Sequence, residues 1–209
     1  MYSHFEVNEN HIKKTVIGLE EIYQNQSVYF SFKFINKFEI SKVLNQVCKL
    51  TFKKAKTLTG NQVSQDFEIS FPVKRVGYLN SLASALELLF SNSLKRMNPP
   101  PCKSPIFNDI AAQKYHFGSE GISPHRDHIK YSGIIVLLNL FGNSRLGICN
   151  DRNGKNAKKI NDSPGRVVIF PGSKFLSKNG IDLRPLHFVD RIRSERISIG
   201  FRHNSQIII

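Results

Sequence analysis

The chain of 209 residues is long enough for one domain with a full core, and its 40% apolar and 22% charged residues are ordinary for a globular protein. Its first residues, MYSHFEVNENHIKK, are too polar for a secretory signal, and no apolar run approaches the roughly 20 residues that span a bilayer. Cys48, Cys102 and Cys149 are odd in number and form no CxxC, which excludes a disulfide framework and a thiolate zinc site. A cytoplasmic protein with no membrane partner is the expectation. Charge is the unusual feature: 30 Lys plus Arg stand against 16 Asp plus Glu, a net of +14. That excess favours an anionic partner, and nucleic acid is one candidate.

The first hundred residues mix an aromatic-rich alternation, SVYFSFKFINKF, with helical patterning. Over Leu79–Met97, residues Leu79, Leu82, Ala83, Leu86, Leu89 and Phe90 recur at helical spacing, with Lys95 and Arg96 closing the last turn. The run NPPP then stops the helix, because proline cannot continue it. That stop divides residues 1–100, a helix and strand scaffold with possible substrate-side elements, from a core in residues 101–209. Past Pro101 the texture changes to short strands: DIAAQKYHF, YSGIIVLLNLF, RLGICN, GRVVIFPG, RPLHFV and RISIGFR, with turn residues between them. A mainly β core with helices packed on it, as a sandwich or barrel, is the architecture this pattern predicts.

The chemistry concentrates at ISPHRDHIKYSG. HRD also opens the protein-kinase catalytic loop, but the glycine-rich loop, strand lysine and DFG that a kinase needs are absent. DRNGKN starts like a calcium loop, yet Gly154 comes too early and no terminal Glu follows. GNSRLGIC lacks the ending of a phosphate-binding loop. In extended backbone, residues i and i+2 share a face, so His125 and Asp127 project together and Arg126 points away. A third ligand must come from a distant strand, and His187, 62 residues on, is the natural candidate. Two histidines and a carboxylate leave open positions on an octahedral ion, the arrangement of non-haem Fe(II) oxygenases.

Two further sets support this reading. Arg196, Ser198, Gly200 and Arg202 share one face of the last strand, which begins nine positions after His187. An arginine fork with a neighbouring hydroxyl suits a carboxylate. Gln113 and Tyr115 share a face of the strand before the metal turn and can hydrogen-bond the same ligand. His128 reads as a surface or supporting residue, His116 as core or surface, Asp151 and Asp190 as turn residues, and Leu137, Leu138 and Phe170 as core. Arg126, Lys130, Arg152, Lys155, Lys158 and Lys159 form either a solvated loop face or a phosphate-facing rim.

Taken in order, QxY, HxD, a later His and RxSxxxR resemble the Fe(II)/2-oxoglutarate-dependent dioxygenases over about Asp109–Asn204. Within them the chain is similar to the AlkB-like branch, with arginines six residues apart. The Gln113 position and the RxS pair depart from that branch, and RxS looks like the plant-type oxygenases. The resemblance implies a double-stranded β-helix (jelly-roll or cupin-like). His125, Asp127 and His187 would hold Fe(II), while Arg196, Ser198 and Tyr115 would hold 2-oxoglutarate, and Arg202 and Gln113 would support the metal end. It further implies dioxygen as co-substrate, with hydroxylation or oxidative demethylation of a C–H bond. A small molecule is the expected substrate. Nucleic acid is the alternative, and a non-catalytic nucleic-acid-binding module of the same fold is the third reading. No aromatic pair in residues 1–100 is placed to stack a flipped base.

Overall fold

A computed structural model describes residues 4–56 and 62–207. Asn8 caps helix α1 (Glu9–Tyr23) by accepting from the His11 amide, and strand β1 (Phe30–Lys33) follows. Helix α2 (Lys37–Val47) opens with a capping box: Asn36 accepts from the Phe38 and Glu39 amides, and the Glu39 carboxylate accepts from the Asn36 amide at 2.7 Å. Three short strands, β2 (Lys53–Lys54), β3 (Gln65–Asp66) and β4 (Glu68–Ser70), precede α3 (Gly77–Leu94). The apolar residues expected to face inward on α3, from Leu79 to Phe90, are all buried.

The rest of the chain is strand after strand. These are β5 (Asp109–Tyr115), β6 (Gly121–His125), β7 (Tyr131–Phe141), β8 (Arg145–Cys149), β9 (Lys158–Lys159), β10 (Arg166–Pro171), β11 (Leu186–Asp190) and β12 (Arg196–Asn204). β5, β7, β10 and β12 belong to a seven-stranded sheet of order β1-β10-β7-β12-β5-β4-β2. β6, β8, β9 and β11 form a five-stranded sheet of order β3-β6-β11-β8-β9. The chain crosses between the sheets at almost every connection, and its strand pairs are antiparallel, which is the double-stranded β-helix expected from the sequence. The first hundred residues extend both sheets: β1 and β4 pair with β10 and β5, and β3 pairs with β6. Strands β2–β4 and β9 are two or three residues long, too short for a periodicity to register in the sequence.

The large sheet is buried on both sides, which is why YSGIIVLLNLF is a nearly continuous apolar run. Ile134, Val136, Leu138 and Leu140 point outward from β7 into the core shared with the three helices. Ile135 and Leu137 point inward, with Tyr115, Leu146, Val168, Phe170 and Val189, into a second core between the sheets. This inner core contains fewer apolar residues than the outer one, and polar groups occupy the rest of the inter-sheet space.

The inner space depends on how β6 meets β11. Gly121 starts β6 at φ +87°, and a Cβ there would lie 1.9 Å from the Val189 carbonyl oxygen. Gly121→Ala is expected to cost at least about 2 kcal/mol of stability through backbone strain and collision. Urea unfolding checks this, and an unchanged midpoint would show that the β6–β11 contact is not as tight as described.

Candidate metal centre

The register of β6 against β11 sets His187 directly opposite His125. Their imidazole centroids are 4.3 Å apart, and Phe170 on β10 stacks on His187 at 4.9 Å and 24°. Phe170, read from the sequence as core, is thus core and wall of the site together. β6 ends at His125, so Asp127 lies two residues past the strand end. Its carboxylate still reaches the same space, and ligand atoms of His125, Asp127 and His187 all lie within 4.8 Å of one another. Donors bound about 2.1 Å from one ion lie about 3–4 Å apart, so a small contraction brings these three to bonding distance.

Each histidine is oriented by its own backbone. His125 Nδ1–H donates to the Ser123 carbonyl at 2.9 Å and His187 Nδ1–H to the Pro185 carbonyl at 3.3 Å. This leaves both Nε2 lone pairs free, the tautomer a metal requires. Burial, reinforced by the neighbouring His187, pushes the His125 pKa down to about 3. Burial likewise pushes His187 down, so both rings are neutral near pH 7.

Asp127 behaves differently. Burial pushes its carboxyl upward, but the Arg202 guanidinium, through its charge and a hydrogen bond, outweighs burial and holds it below the usual carboxylate range. Arg202 Nε donates to Asp127 Oδ1 at 3.1 Å, and the guanidinium carbon lies 5.2 Å from the centre of the Tyr131 ring. Oδ2 is buried, has no hydrogen-bond partner, and lies 3.8 Å from His187 Nε2. A buried, unpartnered carboxylate oxygen facing two neutral imidazoles is costly unless a cation completes it. The residues therefore fit a divalent metal ion.

The remaining candidates lie along β12 and its partners. Arg196 stands opposite Tyr115 and Ser198 opposite Gln113 in the β12–β5 register. Arg196, Ser198 and Tyr115 are buried, and the Arg196 guanidinium carbon is 6.0 Å from the centre of the Tyr115 ring. Arg202 lies beside Asp127, whose carboxylate it bonds. Arg196 has partners that local sequence pattern did not reveal: its Nη1 donates to Ser144 Oγ at 3.0 Å and to the Asp162 carboxylate. Asn139 was also missed, although a lone Asn on the inward face of an apolar strand is a visible signal. It stands opposite Ser198.

The residues given bland readings fall largely where expected. Asp151 accepts from the Asn153 and Lys155 amides in a turn, as expected, whereas Asp190, expected in a turn, is the last residue of β11 and pairs with Arg145 opposite it on β8. His116 and His128 are exposed. Arg126 points away from the triad, its Nε donating to the Arg184 carbonyl at 2.8 Å, while Arg184 Nη1 donates to the Asp127 carbonyl at 3.2 Å. Those bonds tie the loop carrying Asp127 to the loop before His187. A cavity of about 730 Å³ lined by Pro101, Cys102, Lys103, Ser132, Lys174 and His203 holds none of the triad. No described helix is long and apolar enough to cross a membrane.

The depressed histidine pKa values have a consequence for folding. In the unfolded chain His125 takes up a proton as pH falls through about 6.5, whereas in the fold it does so only near 3. Falling pH therefore favours the unfolded chain across that window, and His187 and Asp127, also lowered, act in the same direction. Metal-free protein is expected to lose urea resistance between about pH 7 and about pH 5, with a flatter profile in His125→Asn. A flat native profile would contradict the burial of neutral imidazoles.

No protein-family model matches this sequence, and no curated protein matches it. Solved structures do. A prolyl hydroxylase from Trichoplax adhaerens, in complex with a hypoxia inducible factor oxygen degradation domain peptide fragment, superposes with TM-score 0.68 at 16% identity, covering 95% of this chain and 92% of its own. A Pseudomonas putida prolyl-4-hydroxylase gives 0.64 at 11% identity, with 90% and 97% covered. An oxidoreductase of the 2OG-Fe(II) oxygenase family from Burkholderia pseudomallei gives 0.62 at 12% identity, with 98% and 99% covered. The likeness runs through both sheets and the helices in front of them, and this chain has the double-stranded β-helix fold of the 2-oxoglutarate/Fe(II) oxygenases.

Proposed function

We propose that this protein is an Fe(II)- and 2-oxoglutarate-dependent dioxygenase that hydroxylates, or oxidatively demethylates, a C–H bond. The observation that carries the reading is the buried trio of His125, Asp127 and His187, with both Nε2 atoms free and Asp127 Oδ2 unpartnered. Iron with 2-oxoglutarate and dioxygen would supply the oxidising chemistry. The protein's own part is positional. His125 and His187 stay neutral and fixed by backbone carbonyls, and Arg202 holds one oxygen of Asp127 so that the other faces the metal. Phe170 and Tyr115 close the inter-sheet wall against water. Arg196, with Ser198 and Tyr115 beside it, is the proposed seat for the remote carboxylate of 2-oxoglutarate, and Gln113 borders the same face.

For the primary substrate, the reading best supported is a small molecule or a peptide segment, the second suggested by the peptide bound to the Trichoplax protein. A nucleic-acid substrate had two arguments, the net charge of +14 and the paired arginines. The arginine spacing bears on nucleic acid only through the resemblance to the AlkB-like branch, since Arg196 is buried beside Asp162 and Arg202 beside Asp127. The net charge of +14 favours an anionic partner of some kind. Arg126 and the Lys158–Lys159 strand, the candidates for a phosphate-facing rim, are exposed.

Anaerobic Fe(II) with 2-oxoglutarate is expected to give a visible charge-transfer band in the native protein and none in Asp127→Ala. In air the native protein is expected to release succinate. A native protein that shows neither band nor succinate would refute the enzyme reading. Salt-dependent oligonucleotide binding that survives His125→Ala would then favour the binding module.

A further inference from the structure

The inner face of β12 carries two buried arginines, and each is matched to one carboxylate. Arg202 serves Asp127, which the metal site uses. Arg196 serves Asp162, which the metal site does not use. Arg196 is 2% exposed and Asp162 6% exposed, so the pair is sealed from solvent and little screened. Asp162 comes from the connection between β9 and β10, and Ser144, also buried, comes from the turn before β8. Both accept from the same nitrogen, Nη1. Arg196 Nε, on the other side of the fork, is buried with no acceptor. Nearby on β7, Asn139 Nδ2 donates to the Gly142 carbonyl at 3.3 Å, which fixes the amide orientation and leaves Oδ1 buried without a donor.

This arrangement changes the charge that a remote carboxylate would meet. A lone buried arginine offers a full positive charge and a two-toothed fork. Here the charge is already neutralised, one nitrogen is occupied, and an incoming carboxylate would share a single guanidinium with a second anion. With Nη1 engaged, Arg196 Nε is a buried donor without an acceptor, and Asn139 Oδ1 is a buried acceptor without a donor. With the guanidinium charge already matched by Asp162, a carboxylate end gains less over an uncharged amide or hydroxyl end than it would beside a lone arginine.

We propose that Asp162 is a specificity-determining residue of the co-substrate pocket: by neutralising Arg196 it weakens selection for the dianion and admits 2-oxo acids whose remote end is polar but uncharged. The proposal rests on the reading of the site as a metal and 2-oxo-acid site, and it concerns only what the far end of that acid must carry. Asp162 touches neither the metal ligands nor the reacting carbon; it acts through Arg196.

The test compares 2-oxoglutarate with its 5-amide, each titrated anaerobically into Fe(II)-loaded protein and read by the charge-transfer band. Native protein is expected to prefer 2-oxoglutarate by less than about tenfold, and Asp162→Asn to tighten 2-oxoglutarate by about tenfold or more while moving the amide by about twofold at most. A native preference above about 100-fold, or an Asp162→Asn variant that weakens 2-oxoglutarate or shifts both ligands equally, would overturn the proposal while leaving the oxygenase reading intact. Iron binding with no response to either 2-oxo acid, in native protein and variant, would overturn both. Because the native comparison needs no substitution, a misfolded Asp162→Asn protein does not protect the proposal.

Discussion

The site hangs on one cross-strand pairing, His187 opposite His125 in the antiparallel contact of β11 with β6. Side chains alternate along a strand, so a slip of one strand by one residue would turn its imidazole out of the inter-sheet space and away from the other. Much of the surrounding structure serves to prevent that slip. Gly121 permits the close approach at the start of β6, β8 holds β11 from the other side, and the Arg126 and Arg184 bonds fasten the loops beyond the strand ends. Asp127 is then the costly member. Burying a carboxylate costs several kcal/mol, and Arg202 offsets only the side of it that faces away from the histidines.

β12 organises the rest. Arg196, Ser198 and Arg202 face inward while Ile197, Ile199 and Phe201 face the helical core. A single strand therefore anchors the outer core, supports the metal carboxylate and presents the second arginine. The two cations are too deep to stand alone, and each has acquired an acid from elsewhere in the chain, 75 residues away for Arg202 and 34 for Arg196. The first hundred residues close the structure around this arrangement. Strands β1, β3 and β4 cover edges of the two sheets that would otherwise expose unpaired backbone, and the helices cover the back of the large sheet.

What the sequence made legible followed from periodicity. Alternation placed His125 with Asp127, Gln113 with Tyr115, and Arg196 with Ser198 and Arg202, and the long strands and α3 appeared near where their apolar patterns put them. Order along the chain then suggested His187. The missing parts are those that depend on distant partners. Asp162 lies in NDSPG, where local pattern announces only a turn, and nothing nearby says that it closes on Arg196. The division of labour between the arginines was open for the same reason. Strands of two or three residues carry no period, and Phe170 read as core because stacking on an imidazole leaves no mark in the sequence.

The most direct measurement is a crystal structure of the protein grown anaerobically with Fe(II) and 2-oxoglutarate. One iron held by Nε2 of His125 and His187 and by Asp127 is expected, with Arg202 still on the far carboxylate oxygen and the 2-oxo acid reaching toward Arg196. Iron bound elsewhere, or a 2-oxo acid lying away from the β12 arginines, would contradict this arrangement.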